Sequence, residues 1–432
     1  MKYIIATAQF GATVNKNLLL NIQLFAKQHG VDNLLLFVQN GKSKDEEIID
    51  KRLFEAGFSL VENMKLNANL RLKDLKILPQ QINAFTGLTG KLDRDFSYII
   101  PSPKIRYQSI ANTSKYPRAL MSTGAITKAN YKRNAIGNKA YETHQFGFVF
   151  VTIENNTIFH AHQIEATKSG DFQYMTEKYT KGVFSHEQPE ALILGDYHTG
   201  DTCPKVRKKT IQMLKELKPR RVIFHDLFNG SSLNPHEKGD LIQELREVSR
   251  KRYSLAVELA MVMKEIQFFA TTFPDIQFLV SESNHDLFLE RYIRSKDFMY
   301  HPNNFMFVCG MIPEVIKGTL PTLQVALMHT GELPDNFRFF KEDESYRVRG
   351  VELAYHGHRG ANGSRGTSSQ FDKLNLKMIT GHEHTPKLYQ NSMVVGTSTR
   401  LKLDYTKGAS SWLNCHGILY SNGKYALITL IV

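Results

Sequence analysis

Three apolar segments between residues 191 and 282 each end in polar side chains and are separated by helical segments. They are ALILGD (191–196), RVIFHD (221–226) and IQFLVSE (276–282), the last of which is followed by Ser-Asn-His-Asp. The segments between them, Lys205–Leu217 and about 237–269, have the apolar spacing of crossover helices. This alternation predicts an α/β fold with a parallel sheet, whose polar strand ends meet at one edge.

The length of the chain predicts more than one folding unit. A chain of 432 residues exceeds what a single hydrophobic core usually organises. We expect a smaller α/β N-terminal domain over 1–185 and a second domain over 186–432. In the first we expect strands at 2–8 and 33–38, helices at about 15–29 and 42–58, and a hairpin of 147–153 with 157–164. In the second we expect further strands at 305–309, 322–329, 351–356, 376–380, 392–397, 414–420 and 424–431.

The long segment at about 237–269 is predicted to be one helix. Its apolar residues recur at helical spacing, so they face either the core or a subunit interface. They are Leu241, Leu245, Val248, Tyr253, Val257, Ala260, Val262 and Phe268.

The charge of the chain favours a polyanionic partner such as nucleic acid, although a solubilising surface would give the same composition. The net charge is +13. Residues 1–185 hold 24 Lys and Arg against 15 Asp and Glu, an excess of 9, so most of the charge lies there. The three cysteines are far apart, which suits a reducing compartment, and no apolar run is long enough for a membrane span.

Acidic and histidine side chains at the first two strand ends are candidate metal ligands. Asp196 and His198 stand two residues apart on a turn, where both side chains can converge on one ion. Asp226 ends the neighbouring strand, and two acids at adjacent strand ends can share a pair of cations. Taken singly, Asp226 could equally cap a helix.

The Ser-Asn-His-Asp turn after the third strand offers a further ligand and a candidate acid catalyst. Asn284 supplies a neutral oxygen ligand, and His285 could protonate a leaving oxygen. Asp286 could orient His285 or cap the following helix.

Two His-x-His pairs follow later strands, and their imidazoles could bind two adjacent metal ions. They are His356 and His358 in VELAYHGHRG, and His382 and His384 in MITGHEHTP. All four imidazoles are therefore candidate ligands.

In this order, the motifs resemble the calcineurin-like metallophosphoesterase superfamily: D-x-H, G-D-x-x-D/N, G-N-H-D/E, a strand-end His and G-H-x-H. His225 and Ser283 replace two of the usual glycines. The resemblance implies a four-layer metallophosphoesterase β-sandwich flanked by helices and two divalent metal ions, Mn²⁺ being the first choice. One ion would take Asp196, His198, Asp226 and His384, and the other Asp226, Asn284, His356 and His382, with His358 as the alternative to His356.

Basic residues near these motifs are candidate phosphate contacts. The segment 205–221 holds eight basic residues and one acid, and Lys205 and Arg207 are the first of them. The glycine-rich loop HGHRGANGSRG carries Arg359 and Arg365, whose guanidinium groups suit phosphate. An ordinary exposed helix face and a merely flexible loop remain the alternatives.

Three longer segments resemble bacteriophage metallophosphoesterases of the pre-early DNA-transfer nuclease type, which are similar to the nuclease subunit of double-strand-break repair complexes. The segments are PRALMSTGAITKANY, HGHRGANGSRG and KGASSWLNCHGILYSNGKYALI. The resemblance implies Mn²⁺-dependent DNA cleavage in the host-cell cytoplasm by a homo-oligomer. The alternatives are a phosphatase or nucleotide phosphodiesterase acting on a small molecule or protein, and a non-catalytic DNA-binding host-takeover factor.

Overall fold

The computed structural model describes residues 1–42, 48–78, 81–88, 90–234, 240–249, 254–403 and 406–431. The strands are β1 (Lys2–Gln9), β2 (Asn33–Gln39), β3 (Phe58–Leu60), β4 (Met64–Lys65), β5 (Leu70–Leu72), β6 (Ser97–Ile100), β7 (Tyr107–Ile110), β8 (Arg118–Ser122), β9 (Gly147–Ile153), β10 (Phe159–Glu165), β11 (Phe172–Tyr174), β12 (Glu177–Thr180), β13 (Val183–His186), β14 (Ala191–Ile193), β15 (Arg221–Phe224), β16 (Gln277–Val280), β17 (Phe337–Phe339), β18 (Arg347–Val348), β19 (Val351–Glu352), β20 (Met378–Thr380), β21 (Lys387–Leu388), β22 (Ser392–Val394), β23 (Cys415–Leu419) and β24 (Tyr425–Thr429). The α-helices are α1 (Lys16–His29), α2 (Lys51–Glu55), α3 (Ala135–Glu142), α4 (Pro204–Leu217), α5 (Leu241–Ser249), α6 (Leu255–Thr272), α7 (Asp286–Arg294), α8 (Pro302–Lys317), α9 (Thr322–Met328) and α10 (Ser368–Lys373).

The N-terminal sheet confirms the predicted βαβ unit and hairpin. Its order within the described residues is β10-β9-β1-β2-β3, with β1 and β2 parallel and β9 and β10 antiparallel. The single helix expected over 42–58 is wrong in its extent. Asp50 caps α2 by accepting from Arg52 N, and Gly57 ends it with a φ of 93°. Residues 43–47 lie outside the described part of the chain.

A second sheet confirms the parallel arrangement predicted from the strand ends. Its order in the described chain is β17-β16-β15-β14-β23-β24, in which β14 to β17 are parallel, β23 is antiparallel to β14, and β24 is antiparallel to β23. The carboxyl ends of β14, β15 and β16 therefore lie at one edge. Strand β17 was not predicted.

Helices cover one face of this six-stranded sheet, and two of them replace predicted strands. The segments 305–309 and 322–329 lie in α8 and α9, so both strand predictions were wrong. A short apolar run cannot distinguish a buried strand from a buried helix. In α8 the buried residues Asn304, Val308 and Met311 recur at helical spacing, and Pro302 stands at its first position.

The segment predicted as one long helix forms two described helices, α5 and α6. Ser254 caps α6 by accepting from Val257 N, and residues 250–253 lie outside the described part. Helix α6 buries Val262 in the core, whereas Leu241 and Leu245 of α5 are 66% and 59% exposed. None of the described helices is both long enough and apolar enough to cross a membrane.

The other face of the six-stranded sheet packs against a ten-stranded sheet. Along β14, Leu192 faces the helices, while Ala191 and Ile193 join the apolar cluster shared with the larger sheet. In the described residues that sheet runs β18-β19-β20-β22-β21-β7-β8-β6-β5-β4. Its strands come from both sides of residue 185, so the predicted domain division crosses a hydrogen-bonded sheet. The observed architecture is a mixed α/β fold.

Candidate metal centre

Side chains from three parallel strand ends and two later turns meet at the carboxyl edge of the six-stranded sheet. Asp196 and His198 follow β14, and Asp226 follows β15. His198 N donates to Asp226 O over 2.7 Å, which joins these two turns. The potential ligand atoms of Asp196, His198, Asp226 and His384 all lie within 4.8 Å of one another, and all four residues are buried.

The chemistry of this first group fits a divalent cation. His384 Nε2 lies 3.0 Å from Asp196 Oδ2 and 3.1 Å from His198 Nε2, which in turn lies 3.3 Å from Asp226 Oδ2. Oδ1 of Asp196 and Oδ1 of Asp226 are buried and have no side-chain hydrogen-bond partner among the described residues. Buried carboxylates without donors are costly unless a cation compensates them.

A second group of side chains shares Asp226 with the first. His356 Nε2 lies 3.4 Å from Asp226 Oδ2 and 3.1 Å from Asn284 Oδ1. His382 Nδ1 lies 2.9 Å from the same Asn284 oxygen. Asp226 Oδ2 thus lies between the imidazoles of His198 and His356. All seven sequence-predicted ligands are brought together.

The structure distinguishes between the two histidines that competed for one ligand position. His356 is buried and points towards Asp226. His358 Nε2 instead lies 2.7 Å from Glu342 Oε1. The geometry therefore favours His356 as the ligand.

The backbone at the site adopts a conformation that the sequence patterns did not reveal. Four of the seven predicted ligands have left-handed φ angles: 46° at His198, 46° at Asp226, 75° at His382 and 54° at His384. For residues other than glycine, this region costs about 1–3 kcal/mol and is concentrated at functional sites.

Gly381 precedes the second His-x-His pair, and the site leaves no room for a side chain at this position. A Cβ at this position would lie 2.1 Å from Asp196 Oδ1 and 2.9 Å from His225 Cβ. Gly381 N also donates to His356 O over 2.8 Å, so it fixes the two histidine turns against each other. The glycine permits a backbone approach that any side chain would prevent.

His285 lies beside the first group, but the residue that orients it differs from the prediction. Its Nδ1 lies 2.6 Å from the backbone oxygen of Asn229, and its ring centroid is 4.6 Å from that of His198. Asp286, the residue proposed from the sequence to orient His285 or cap the following helix, has a different partner. Its Oδ2 accepts from Ser283 N over 2.9 Å, because Asp286 begins α7 and folds back onto the turn before it.

Two of the predicted phosphate contacts are already engaged with protein side chains. Arg359 is exposed and pairs with Glu342. Arg207 places its Nε 3.1 Å from Glu265 Oε1 and its guanidinium 4.2 Å from the Phe268 ring centroid, so a phosphate role there is not supported.

The other two predicted phosphate contacts, Lys205 and Arg365, are exposed. Neither forms an ion pair with another described residue. Their roles therefore stay predictions.

Several residues at the site were missed by the sequence reasoning. Asn229 places Oδ1 3.0 Å from His198 Nδ1, while its backbone oxygen holds His285. Its position three residues after Asp226, within the D-x-x-N motif, was the available signal. Trp412 packs its ring 4.2 Å from that of His384, and no local pattern pointed to it.

Burial controls the protonation of the site. Burial lowers the pKa of His198 to about 3 and that of His382 to about 4, so both imidazoles are neutral near pH 7. Burial also lowers the pKa of His356 well below its usual value. Neutral imidazoles are the form that binds metal ions.

The pKa of Asp196 predicts how the stability of the metal-free protein depends on pH. Burial raises it from 3.8 to about 6, although His384 opposes the rise. Between these values the folded chain holds a proton that the unfolded chain has lost. The free energy of unfolding therefore decreases as pH rises from about 4 to 6.

We expect Asp196→Asn to make the decrease in the free energy of unfolding between pH 4 and 6 smaller by about 1–3 kcal/mol. Urea unfolding in EDTA, at pH values from 4 to 7, measures the difference between the two proteins. An identical pH dependence of unfolding in the wild type and the variant would show that burial does not raise the pKa of Asp196.

The fold and the site together define an α/β protein with a buried Asp/His cluster suited to metal binding. The chain is 28% identical to Protein A1 of Escherichia phage T5 over 457 aligned residues, which cover 99% of this chain and 81% of that protein. This similarity supports a bacteriophage origin. No protein-family model matches the chain. A solved crystal structure aligns with 56% of this chain and all of its own, at 10% identity and a TM-score of 0.29, a likeness too low to inform the fold.

Proposed function

We propose that this protein is a Mn²⁺-dependent DNA nuclease of the metallophosphoesterase class that uses two metal ions. The observation that supports this most strongly is the position of Asp226. Its Oδ2 lies 3.3 Å from an imidazole nitrogen of one ligand group and 3.4 Å from that of the other. A carboxylate shared by two groups of nitrogen and oxygen ligands is what a paired metal site requires.

The ligand sets follow from these contacts. Asp196, His198, Asp226 and His384 would hold one ion. Asp226, Asn284, His356 and His382 would hold the other. Bound divalent ions would activate water and neutralise the charge of a phosphodiester. The mixed nitrogen and oxygen ligands, without a thiolate, suit Mn²⁺.

His285 would donate a proton to the departing sugar oxygen. The carbonyl of Asn229 accepts from Nδ1, which leaves Nε2 as the atom that gives the proton. His285 is half-buried, so a substrate can reach it. Asn229 also contacts His198, and it therefore positions the acid relative to the first ligand group.

The arrangement of the sheets supports the proposed class. The six-stranded and ten-stranded sheets pack face to face, and helices cover the outer face of the smaller one. These three layers, one of helices and two of sheet, are part of the four-layer β-sandwich expected for a metallophosphoesterase.

The choice of DNA as substrate is supported by charge and by similarity. The net charge of +13 favours a polyanion over a small neutral substrate. The similarity to a phage protein suits an enzyme that acts in the host-cell cytoplasm. A homo-oligomer remains part of the proposal, and exposed apolar residues of α5, such as Leu241 and Leu245, are available for a subunit contact.

Digestion of linear and circular DNA with Mn²⁺, each in single- and double-stranded form, tests this function. We expect DNA cleavage that EDTA abolishes, together with hydrolysis of bis-p-nitrophenyl phosphate. Hydrolysis of p-nitrophenyl phosphate alone would indicate a phosphatase. DNA binding without any hydrolysis in Mn²⁺ would indicate a non-catalytic DNA-binding factor.

A further inference from the structure

One loop begins and ends at the candidate metal ligands. Before it, Ser398 N donates to Asp196 O over 2.8 Å. After it, Leu413 N donates to His384 O over 3.3 Å. The 399–412 loop, of which the structure describes residues 399–403 and 406–412, is therefore fixed at both ends to turns that carry ligands, and it borders the metal centre.

This 399–412 loop presents a positive surface. Arg400, Lys402 and Lys407 are exposed, against one acidic residue in the loop sequence, Asp404. Arg400 N donates to Asp201 O over 3.2 Å, which anchors the first cation close to the turn of His198. The backbone of Arg400 is thus held beside the site and not on a distant face.

The N-terminal part of the chain adds a fourth cation to this surface. Asn112 and Ser410 exchange two backbone hydrogen bonds of 3.0 Å, and Ser109 Oγ donates to Ser411 O over 2.7 Å. Lys115, three residues beyond Asn112, is exposed. The part of the chain that holds most of the excess charge therefore reaches the border of the metal centre.

We propose that Lys115, Arg400, Lys402 and Lys407 form a DNA-binding surface that contacts the phosphate backbone next to the cleaved bond. The inference rests on the proposed function and adds the residues that hold its substrate. The four cations are distributed over two chain segments, which suits a row of phosphates better than a single phosphate group. Each lysine or arginine that neutralises a phosphate releases counterions, so this binding depends steeply on salt.

The test compares the triple variant R400Q/K402Q/K407Q with the matched control K16Q/K27Q/K168Q, which loses the same charge at exposed positions elsewhere. Binding of labelled 30-nucleotide single strands and 30-base-pair duplexes is measured by fluorescence anisotropy in EDTA, from 50 to 200 mM salt. Working without metal separates binding from hydrolysis.

We expect the triple variant to bind about tenfold more weakly or worse at 100 mM salt. The slope of log K against log salt should become shallower by about 2, since each lost phosphate contact removes roughly 0.7–0.9. The form of DNA whose affinity falls more in the triple variant, single-stranded or duplex, is the form that this surface binds. The control should keep the wild-type slope and cleave DNA at the wild-type rate.

The outcomes separate this inference from the proposed function. If wild type cleaves DNA but the triple variant keeps the wild-type slope and affinity, the surface is wrong and the nuclease stands. If wild type binds DNA through this loop but never hydrolyses it, the surface stands and the nuclease is wrong. Equal losses in the triple variant and the control would also overturn the surface, because they would reflect net charge alone.

Discussion

Replacing Asp226 with asparagine is expected to lower the Mn²⁺-dependent hydrolysis of DNA by about 10³-fold, which corresponds to roughly 4 kcal/mol of transition-state stabilisation. Among the residues that the structure describes, Asp226 is the one carboxylate within 3.4 Å of imidazoles from both ligand groups. An amide keeps the shape of the side chain but removes the charge that two cations would share. Bound metal should fall with activity, as measured by isothermal titration calorimetry with Mn²⁺.

Asp275→Asn is the matched control for this change, because Asp275 is exposed on the turn before β16. It removes the same charge without touching the cluster, so activity and metal binding should stay at wild-type levels. An Asp226→Asn protein that binds two metal ions and remains active would show that this carboxylate does not bridge the two groups.

His285→Ala is expected to leave metal binding intact and to lower DNA hydrolysis by about 10²–10⁴-fold, the usual contribution of a general acid. The ring touches the first ligand group but is held by the Asn229 carbonyl, and none of its contacts makes it necessary for the ligands. Mn²⁺ titration and cleavage rates on the same protein separate the two effects. Undiminished cleavage would remove His285 from the mechanism.

The identity of the leaving group gives a sharper form of this test. A sugar oxygen is a poor leaving group and needs a proton, whereas p-nitrophenolate departs without one. The loss in His285→Ala should therefore be much larger for DNA than for bis-p-nitrophenyl phosphate. Equal losses on both substrates would indicate that His285 binds phosphate and does not donate a proton. The control for general effects on folding is His160→Ala. His160 lies on β10, away from the metal centre, and pairs with Glu154.

The parallel sheet and the approach of the ligands could be predicted because both follow from short patterns. ALILGD and RVIFHD show an apolar strand and its polar end within six residues. The crossover α4 between them fixes the strands side by side. The carboxyl ends of β14 and β15 therefore meet at one edge of the sheet, and this follows from the local pattern alone.

The helices that replaced predicted strands show where such patterns fail. In 305–309 and 322–329 the apolar runs are too short to distinguish a helix from a strand. The neighbouring elements decided the outcome, since α8 and α9 pack with α6 in the core beside the six-stranded sheet.

Contacts between distant segments account for most of what the sequence did not reveal at the site. Asn229 could be identified from its spacing to Asp226, but the contact of its carbonyl with His285 joins residues 56 positions apart. Trp412 meets His384 only because the 399–412 loop returns to the metal centre. The left-handed backbone at the ligands has no sequence signature in residues other than glycine.

Anomalous scattering from crystals of the full chain grown with Mn²⁺ tests the paired metal centre most directly. Two peaks are expected, one on each side of the Asp226 carboxylate. The first should lie among Asp196, His198 and His384, and the second among Asn284, His356 and His382. A single peak at saturating Mn²⁺, or peaks away from these side chains, would contradict the two-metal site.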